Sequence, residues 1–329
     1  MAVLAGVFQI VIRISGSAPL QPRRSVHTGS ESLLVRVMTM PPAWRHTDPN
    51  RDDTERHGRP SRYETSQAES EYPVAVERFA GRAGSLFADD IHVSAEDEVG
   101  AAVTAAAPVP APGVTLVVDW DGFGQALTAS GTAIFENVAL DPARIKPEPA
   151  RVPYAMAFFQ PVHPATLVGI GRAAAEDVAR FVAERTRGYS HGNAGRTAED
   201  PQIQAVVGRV RGNAHAAGAV VLKAAESLRR AYDPHQAGDG TAADRTTTLA
   251  DIEVNQAMSV VTDLVLEATT KLFDALGASA VKVGLGPDCY WRNARTIASH
   301  NPRIYRDRIV GAFAITGAPP PRHYRVGTA

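Results

Sequence analysis

The chain has 329 residues, of which 44% are hydrophobic and 21% are charged, and its formal net charge at pH 7 is -1. This length allows two domains with a sizeable core, and the nearly neutral charge gives no electrostatic basis for binding nucleic acid. The single cysteine, Cys289, excludes an intramolecular disulfide framework and is typical of a reducing compartment. No apolar run reaches the roughly 20 residues that cross a bilayer. These features predict a cytoplasmic protein with neither a nucleic-acid nor a membrane partner.

Residues 1–78 are predicted to be a disordered or non-native segment rather than a domain. Arg, Pro, Ser, Thr and His are scattered through most of it, with few periodic apolar positions. Residues 44–70 have so little to bury that we expect them to be disordered. Two pieces, 3–14 and 32–38, are apolar enough for short local structure.

Residues 79–150 have the pattern of a β domain. Short apolar or β-branched runs at 91–95, 101–107, 114–118 and 131–138 follow each other without helical segments between them. Closely spaced strands of this kind predict an antiparallel sheet or a small barrel.

Residues 151–329 have the periodicity of helices. Long helices joined by short links predict an up-down α-helical bundle, so the predicted fold class is α+β, with an antiparallel β domain followed by the bundle. The second helix has a strong start signal, because Asp200 is a good N-cap and Pro201 suits the first helical position. The predicted helices are 166–187, 201–228, 248–276, 289–298 and one that begins at Asn301-Pro302 and ends near Gly317.

Two segments are specific enough to indicate a family. Residues 290–302 read Tyr-Trp-Arg-Asn-Ala-Arg-Thr-Ile-Ala-Ser-His-Asn-Pro; residues 119–124 read Asp-Trp-Asp-Gly-Phe-Gly, and 128–132 read Thr-Ala-Ser-Gly-Thr. Over roughly residues 79–329 the chain resembles flavoproteins of the acyl-CoA dehydrogenase fold, and within them the flavin-dependent monooxygenases typified by dibenzothiophene monooxygenase.

The resemblance implies a catalytic role for His300. The dehydrogenases of this fold have a catalytic Glu at the place that spacing gives to His300 here. A carboxylate base abstracts the α-proton of an acyl thioester, whereas an imidazole beside a flavin suits oxygen chemistry better. The ordinary pKa of a histidine, about 6.5, allows proton transfer in either direction near neutral pH. Asn293 and Arg295 are expected to support it from the same helix. Without the family, His300 is a residue that caps a turn.

The resemblance also implies flavin-binding residues in the β domain. By position, Trp120 and Ser130 match a Trp and a Ser that face the flavin, and Thr128 belongs to the same segment. An indole can form a wall beside the isoalloxazine, and a hydroxyl can bond a ring heteroatom. Without the family, Trp120 is a core aromatic and Ser130 a turn residue.

Three further cofactor-binding residues are implied in the bundle. Arg187 matches an Arg that crosses a subunit interface to the phosphate of a neighbour's flavin. Ala278 and Ser279 lie in a small-residue turn whose backbone approaches the flavin. Without the family, Arg187 is a solvated residue that complements a helix C-terminus, and the turn is a helix cap. The histidines lack the spacing of metal ligands, and no metal site is expected.

The implied function is a flavin-dependent monooxygenase. It would use O2 and reduced FMN, supplied by a separate flavin reductase, to oxidise a small organic substrate that contains, for instance, sulfur or nitrogen. The family is a homotetramer built as a dimer of dimers. One alternative is an acyl-CoA dehydrogenase that uses FAD, for which Glu267 and Asp288 are the carboxylates nearby in sequence.

A further alternative is a truncated, catalytically inactive remnant. The family places a helical domain before the β domain, and no such domain is recognisable in the sequence. Either residues 1–78 replace it or the chain begins from a truncated or frame-disturbed reading, and the second explanation is favoured.

Overall fold

The computed structural model describes residues 12–15, 33–37, 77–80, 85–97, 101–128, 130–147 and 151–321. Within these ranges the strands come first and the long helices follow, so the predicted α+β class is confirmed. The segment 44–70, for which disorder is predicted, lies outside the described residues.

The strands form two sheets. The larger has the order β8-β2-β1-β4-β5-β9 and the smaller the order β3-β7-β6. The described pairings are antiparallel, except that β1 runs parallel to β4. The strands are β1 (Ile12–Ser15), β2 (Leu33–Val37), β3 (Glu77–Ala80), β4 (Asp90–Asp97), β5 (Ala102–Pro108), β6 (Val114–Val117), β7 (Thr132–Phe135), β8 (Ala139–Leu140) and β9 (Ile145–Pro147).

The β core follows from alternation along the strands. Val103, Ala105 and Ala107 of β5 are buried on one face, because successive side chains of a strand point to opposite sides. They pack with Phe135 of β7 and Val138 in a single cluster.

The strands β1 and β2 overlap the two apolar pieces in which the sequence predicts short local structure. Both pair within the larger sheet, and β3 pairs with β7. The sheets thus include residues that the predicted domain boundary at residue 78 left outside the β domain. Strands of four or five residues carry too little periodic pattern to be assigned to a sheet from sequence.

The helices form a bundle in which α2, α3 and α4 pack against one another and α5 packs on α2 and α4. No described helix is both long and apolar enough to cross a membrane. The helices are α1 (Ala155–Phe159), α2 (Val162–Glu184), α3 (Pro201–Gln236), α4 (Gly240–Leu276), α5 (Asp288–Ala298) and α6 (Arg306–Thr316).

Several helix boundaries differ from the predicted ones; α3, for example, ends at Gln236 instead of residue 228. The helix α4 begins at Gly240 instead of residue 248, because the Asp239 side chain accepts a hydrogen bond from the Ala242 N–H at 3.0 Å and caps it. The helix α2 begins at Val162, ahead of the predicted start at residue 166. Pro164 lies in its first turn, where the missing N–H has no intrahelical partner to lose.

Candidate active site

The helix α5 carries the first of the two family segments. Its inner face buries Ala294, Ile297 and Ala298 against the bundle. Its first turn is fixed to α2 by Tyr290, whose hydroxyl donates to Asp177 Oδ2 at 2.5 Å. Burial and this hydrogen bond raise the pKa of Tyr290, and the bond from Tyr290 lowers the pKa of Asp177. The outer face of α5 is thereby held in a fixed orientation.

The second family segment docks onto this outer face. The backbone N–H of Gln125 donates to Asn293 Oδ1 at 2.7 Å, and Arg292 Nη1 donates to the carbonyl oxygen of Phe123 at 2.9 Å. The Phe123 and Trp291 rings stack with centroids 6.0 Å apart. Two segments far apart in the sequence therefore form one surface, to which Asn293 contributes from α5.

Close backbone approach makes this docking possible. A Cβ atom on Gly124 would lie 2.4 Å from the Arg292 carbonyl oxygen and 2.5 Å from Thr296 Oγ1. Real Cβ atoms do not approach other atoms so closely, so the contact requires glycine at residue 124.

Trp120 is not a core aromatic residue, which is what the sequence predicts for it when the family resemblance is set aside. It is 42% exposed, and its Nε1 donates to the Gly124 carbonyl oxygen at 2.9 Å. Phe123 and Trp291 are exposed as well. Exposed aromatic rings that lie together indicate a binding surface; we call Trp120, Phe123 and Trp291 the aromatic surface.

The hydroxyls of Thr128 and Ser130 lie in the same loop, 2.9 Å apart. Thr128 Oγ1 donates to the Gln125 carbonyl oxygen at 2.8 Å, so its single proton is used there and Ser130 donates to Thr128. Ser130 Oγ keeps lone pairs that can accept a hydrogen bond. The structure thus brings Thr128 and Ser130 together, and Trp120 bonds Gly124, the neighbour of Gln125.

His300 lies in the turn after α5, where its backbone N–H donates to the Ile297 carbonyl oxygen at 3.1 Å. Its ring centroid is 4.5 Å from that of His163, which is buried at the start of α2. His300 as a whole residue is exposed, but packing on part of its ring lowers its pKa, and a hydrogen bond with Asn301 partly offsets this effect. The pKa of His163 is lowered to about 4, first by burial and then by the charges of His300 and Arg306.

A buried polar group supports these two rings. Arg306 Nη1 donates to Asn255 Oδ1 at 2.8 Å, and its Nη2 donates to Gln160 Oε1 at 2.7 Å. Gln160 Oε1 also accepts from Asn301 Nδ2 at 3.4 Å. The connection before α2, the middle of α4 and the start of α6 therefore meet beside His300.

Sequence reasoning did not identify His163 and Arg306. In the sequence, a lone histidine between Pro161 and Pro164 is typical of a helix start, and one arginine among many is typical of an exposed surface. Both side chains are buried by the packing of helices that are distant in the sequence, and no local pattern predicts this burial.

At the predicted turn of Ala278 and Ser279, an arginine of the same chain contacts Ser279. Arg185 donates to Ser279 Oγ and to the carbonyl oxygens of Ala275 and Leu276, the last carbonyls of α4. Ala278 is exposed. Arg185 therefore complements the C-terminus of α4, which is the function that the reading without the family gave to Arg187.

Arg187 stands apart from the other predicted site residues. It is exposed, its carbonyl oxygen accepts from Thr197 Oγ1 at 2.6 Å, and its guanidinium has no ion pair with any residue that the structure describes. Arg295 is half-buried on α5, and its carbonyl oxygen accepts from the Ser299 hydroxyl at 2.9 Å.

The two carboxylates that an acyl-CoA dehydrogenase would need are engaged elsewhere. Glu267 accepts from Arg209 at 3.0 Å, and Asp288 accepts from Arg292 at 2.8 Å. Neither lies at the motif position, which His300 holds. Among the described residues, no group of three or more His, Cys, Asp or Glu could hold a metal ion.

Parts of the chain are similar to known proteins. Residues 162–302 match the family model described as acyl-CoA dehydrogenase, C-terminal domain. The chain is 28% identical over 226 residues to a dibenzothiophene monooxygenase from Mycolicibacterium goodii, covering 66% of this chain and 54% of that protein. It is also 28% identical over 244 residues to a probable FMNH2-dependent monooxygenase from Pseudomonas putida, covering 72% of this chain and 61% of that one.

The fold of the chain is also similar to that of a solved structure. The dibenzothiophene monooxygenase from Paenibacillus sp. A11-2, crystallised with FMN and indole, superposes with a TM-score of 0.64 at 26% identity. The match covers 74% of this chain and 64% of that one. The chain thus spans between half and two thirds of the length of these relatives, and the residues that match the family model, 162–302, include α2 to α5.

Proposed function

We propose that this chain, which carries an acyl-CoA dehydrogenase C-terminal domain and is homologous to FMNH2-dependent monooxygenases, is itself a flavin-dependent monooxygenase. It would use O2 and reduced FMN, delivered by a separate flavin reductase, to oxidise a small organic molecule. The observation that carries this proposal is the docking of the 120–125 loop on α5 through Asn293, which places both family segments on one surface.

The residues of this surface fit a flavin. A planar aromatic ring system can stack on an exposed indole. Trp120 offers one, on the chain segment that also carries the paired hydroxyls of Thr128 and Ser130. Bound FMN would supply the oxygen-activating chemistry. Trp120 would form one wall for the ring, and Ser130 Oγ would accept a hydrogen bond from it.

The rest of the cofactor would be held by residues outside the aromatic surface. The backbone at Ala278 and Ser279 would approach the flavin, since the small side chains leave room for it. The exposed guanidinium of Arg187 would pair with the phosphate of FMN bound to a neighbouring subunit.

His300 would hold and move the proton that oxygen transfer needs. Because burial lowers its pKa, its imidazole is neutral at neutral pH and can accept a proton before it returns one. Asn293 would hold the loop in place, and Arg295 would support the turn that carries His300. A carboxylate in that position would serve a dehydrogenase, which is why the FAD-dependent alternative is disfavoured.

The substrate class follows from the aromatic surface and from the relatives. One relative is named for dibenzothiophene, and a similar structure holds indole. Both are fused heteroaromatic rings that can stack on Phe123 and Trp291, the exposed rings of the aromatic surface that the flavin does not use. We therefore propose a fused heteroaromatic substrate that contains sulfur or nitrogen.

We further propose that the protein works in the cytoplasm as a homo-oligomer built as a dimer of dimers. Leu222, Val260 and Ile315 on the bundle are 69%, 46% and 84% exposed. Association of subunits would bury such side chains, and it would let Arg187 reach a neighbour's cofactor.

Replacement of His300 by Gln tests the proposed chemistry. Gln can still form hydrogen bonds but cannot shuttle a proton, so we expect FMN binding to persist and turnover to fall by about 10²–10⁴-fold. Flavin absorbance measures binding, and oxidation of indole or dibenzothiophene with a flavin reductase measures turnover. Equal turnover in His300→Gln and the wild type would return His300 to the function of a turn residue.

A further inference from the structure

His163 is a buried imidazole that packing alone does not explain. It is 5% exposed, and its Nδ1 has no hydrogen-bond partner among the residues that the structure describes. A buried polar atom in that state destabilises a fold. Its ring lies against that of His300, with centroids 4.5 Å apart and the planes inclined by 47°.

The charged groups around this pair favour a neutral His163. Arg306, from α6, lowers the pKa of His163, and so does the charge of His300. From α4, Asn255 holds Arg306 in place. Whereas His163 is buried, His300 is exposed, so a proton from solvent reaches His300 first.

We infer that His163 is a positioning residue for His300, and that the two rings form one unit that carries a single proton, on His300, while the buried ring of His163 stays neutral and covers one face of its neighbour. By excluding water from that face, His163 contributes to the burial that lowers the pKa of His300. Its place in turnover rests on the proposed function, whereas the coupling of the two rings does not.

The coupling can be measured on the full chain by NMR titration of labelled histidines, assigned with single variants. In the wild type, His300 should titrate below its ordinary pKa of about 6.5, and His163 should stay neutral down to about pH 4. His163→Ala admits water beside His300, so the pKa of His300 should rise by about half a unit or more. His163→Phe keeps a ring of similar size and should leave the pKa of His300 low.

The reverse experiment removes His300. At the pH where His163 titrates, His300 carries a positive charge, so His300→Gln should raise the pKa of His163 above about 4. It should stay below 6.5, because burial and Arg306 remain. An unchanged pKa of His300 in His163→Ala, or of His163 in His300→Gln, would overturn the proposal. The two variants probe the pair from opposite sides, and His163→Phe keeps the core filled if His163→Ala fails to fold.

The pH dependence of kcat/KM gives a second readout, which a purely structural residue would not move. The acid limb reports the pKa of the free enzyme's base. It should shift to higher pH in His163→Ala and remain in place in His163→Phe. An unshifted acid limb in His163→Ala would contradict the positioning function. In another outcome, the wild-type protein shows the coupled titration by NMR and yet oxidises neither indole nor dibenzothiophene with reduced FMN. That result would contradict the proposed function but not the coupling of the two rings.

Discussion

Asn293 is one of the side chains that join the 120–125 loop to the bundle, through the 2.7 Å bond that its Oδ1 accepts from the Gln125 N–H. In Asn293→Ala this half-buried N–H loses its partner, so we expect the free energy of unfolding to fall by about 1–2 kcal/mol and FMN binding to weaken. Asn293→Asp keeps an oxygen acceptor and serves as the matched control. Urea denaturation measures both variants, and equal stability of Asn293→Ala and Asn293→Asp would show that the bond does not hold the loop.

The sequence could identify residues through the order of a motif but not through their surroundings. Trp120, Thr128, Ser130 and Asn293 were predicted because they belong to two recognisable segments, and the structure brings those segments together. His163 was not, because its burial depends on the packing of helices that are distant in the sequence.

At the scale of elements, the contact between the 120–125 loop and α5 depends on Gly124. Gly124→Ala would place a Cβ atom 2.4 Å from the Arg292 carbonyl oxygen, so we expect it to lift the loop and to destabilise the protein by about 1–3 kcal/mol. Gly208→Ala is the matched control, because a Cβ atom there meets nothing within 4 Å, and alanine favours its helix. Thermal unfolding and FMN titration compare the two. A loss of FMN binding in Gly208→Ala equal to that in Gly124→Ala would rule out a specific contact.

Elements with a strong local signal could be predicted, and those without one could not. The start of α3 at Pro201 and the end of α4 before Gly277, which has a φ of 59°, follow from cap residues. The earlier start of α4 depends on Asp239, which lies in a stretch with weak apolar periodicity. The short strands β1 and β2 are stabilised by their neighbours in the sheet, and sequence alone does not name those neighbours.

At the scale of the whole molecule, replacing Arg185 and replacing Arg187 should change different properties, although the two residues are close in the sequence. Arg185 holds the C-terminus of α4, so Arg185→Ala should lower the unfolding temperature. Arg187→Ala should leave the unfolding temperature unchanged and should weaken FMN binding by about ten- to a hundred-fold, without affecting riboflavin, which lacks the phosphate.

The control for this pair is Arg172→Ala. Arg172 is an exposed arginine on α2, the helix that Arg185 and Arg187 follow, and its replacement should change neither property. Light scattering gives the assembly state at which binding is measured. A monodisperse monomer that binds FMN and riboflavin equally well would contradict both the shared site and the phosphate contact of Arg187.

The central claim is that this chain transfers an oxygen atom from O2 to a small molecule with reduced FMN. Mass spectrometry of the product formed under ¹⁸O2, with a flavin reductase, FMN and indole or dibenzothiophene, tests it most directly. We expect a product that contains ¹⁸O from the wild type and almost no product from His300→Gln. A product whose added oxygen comes from water, or a protein that stays colourless with FMN and forms no product, would contradict it.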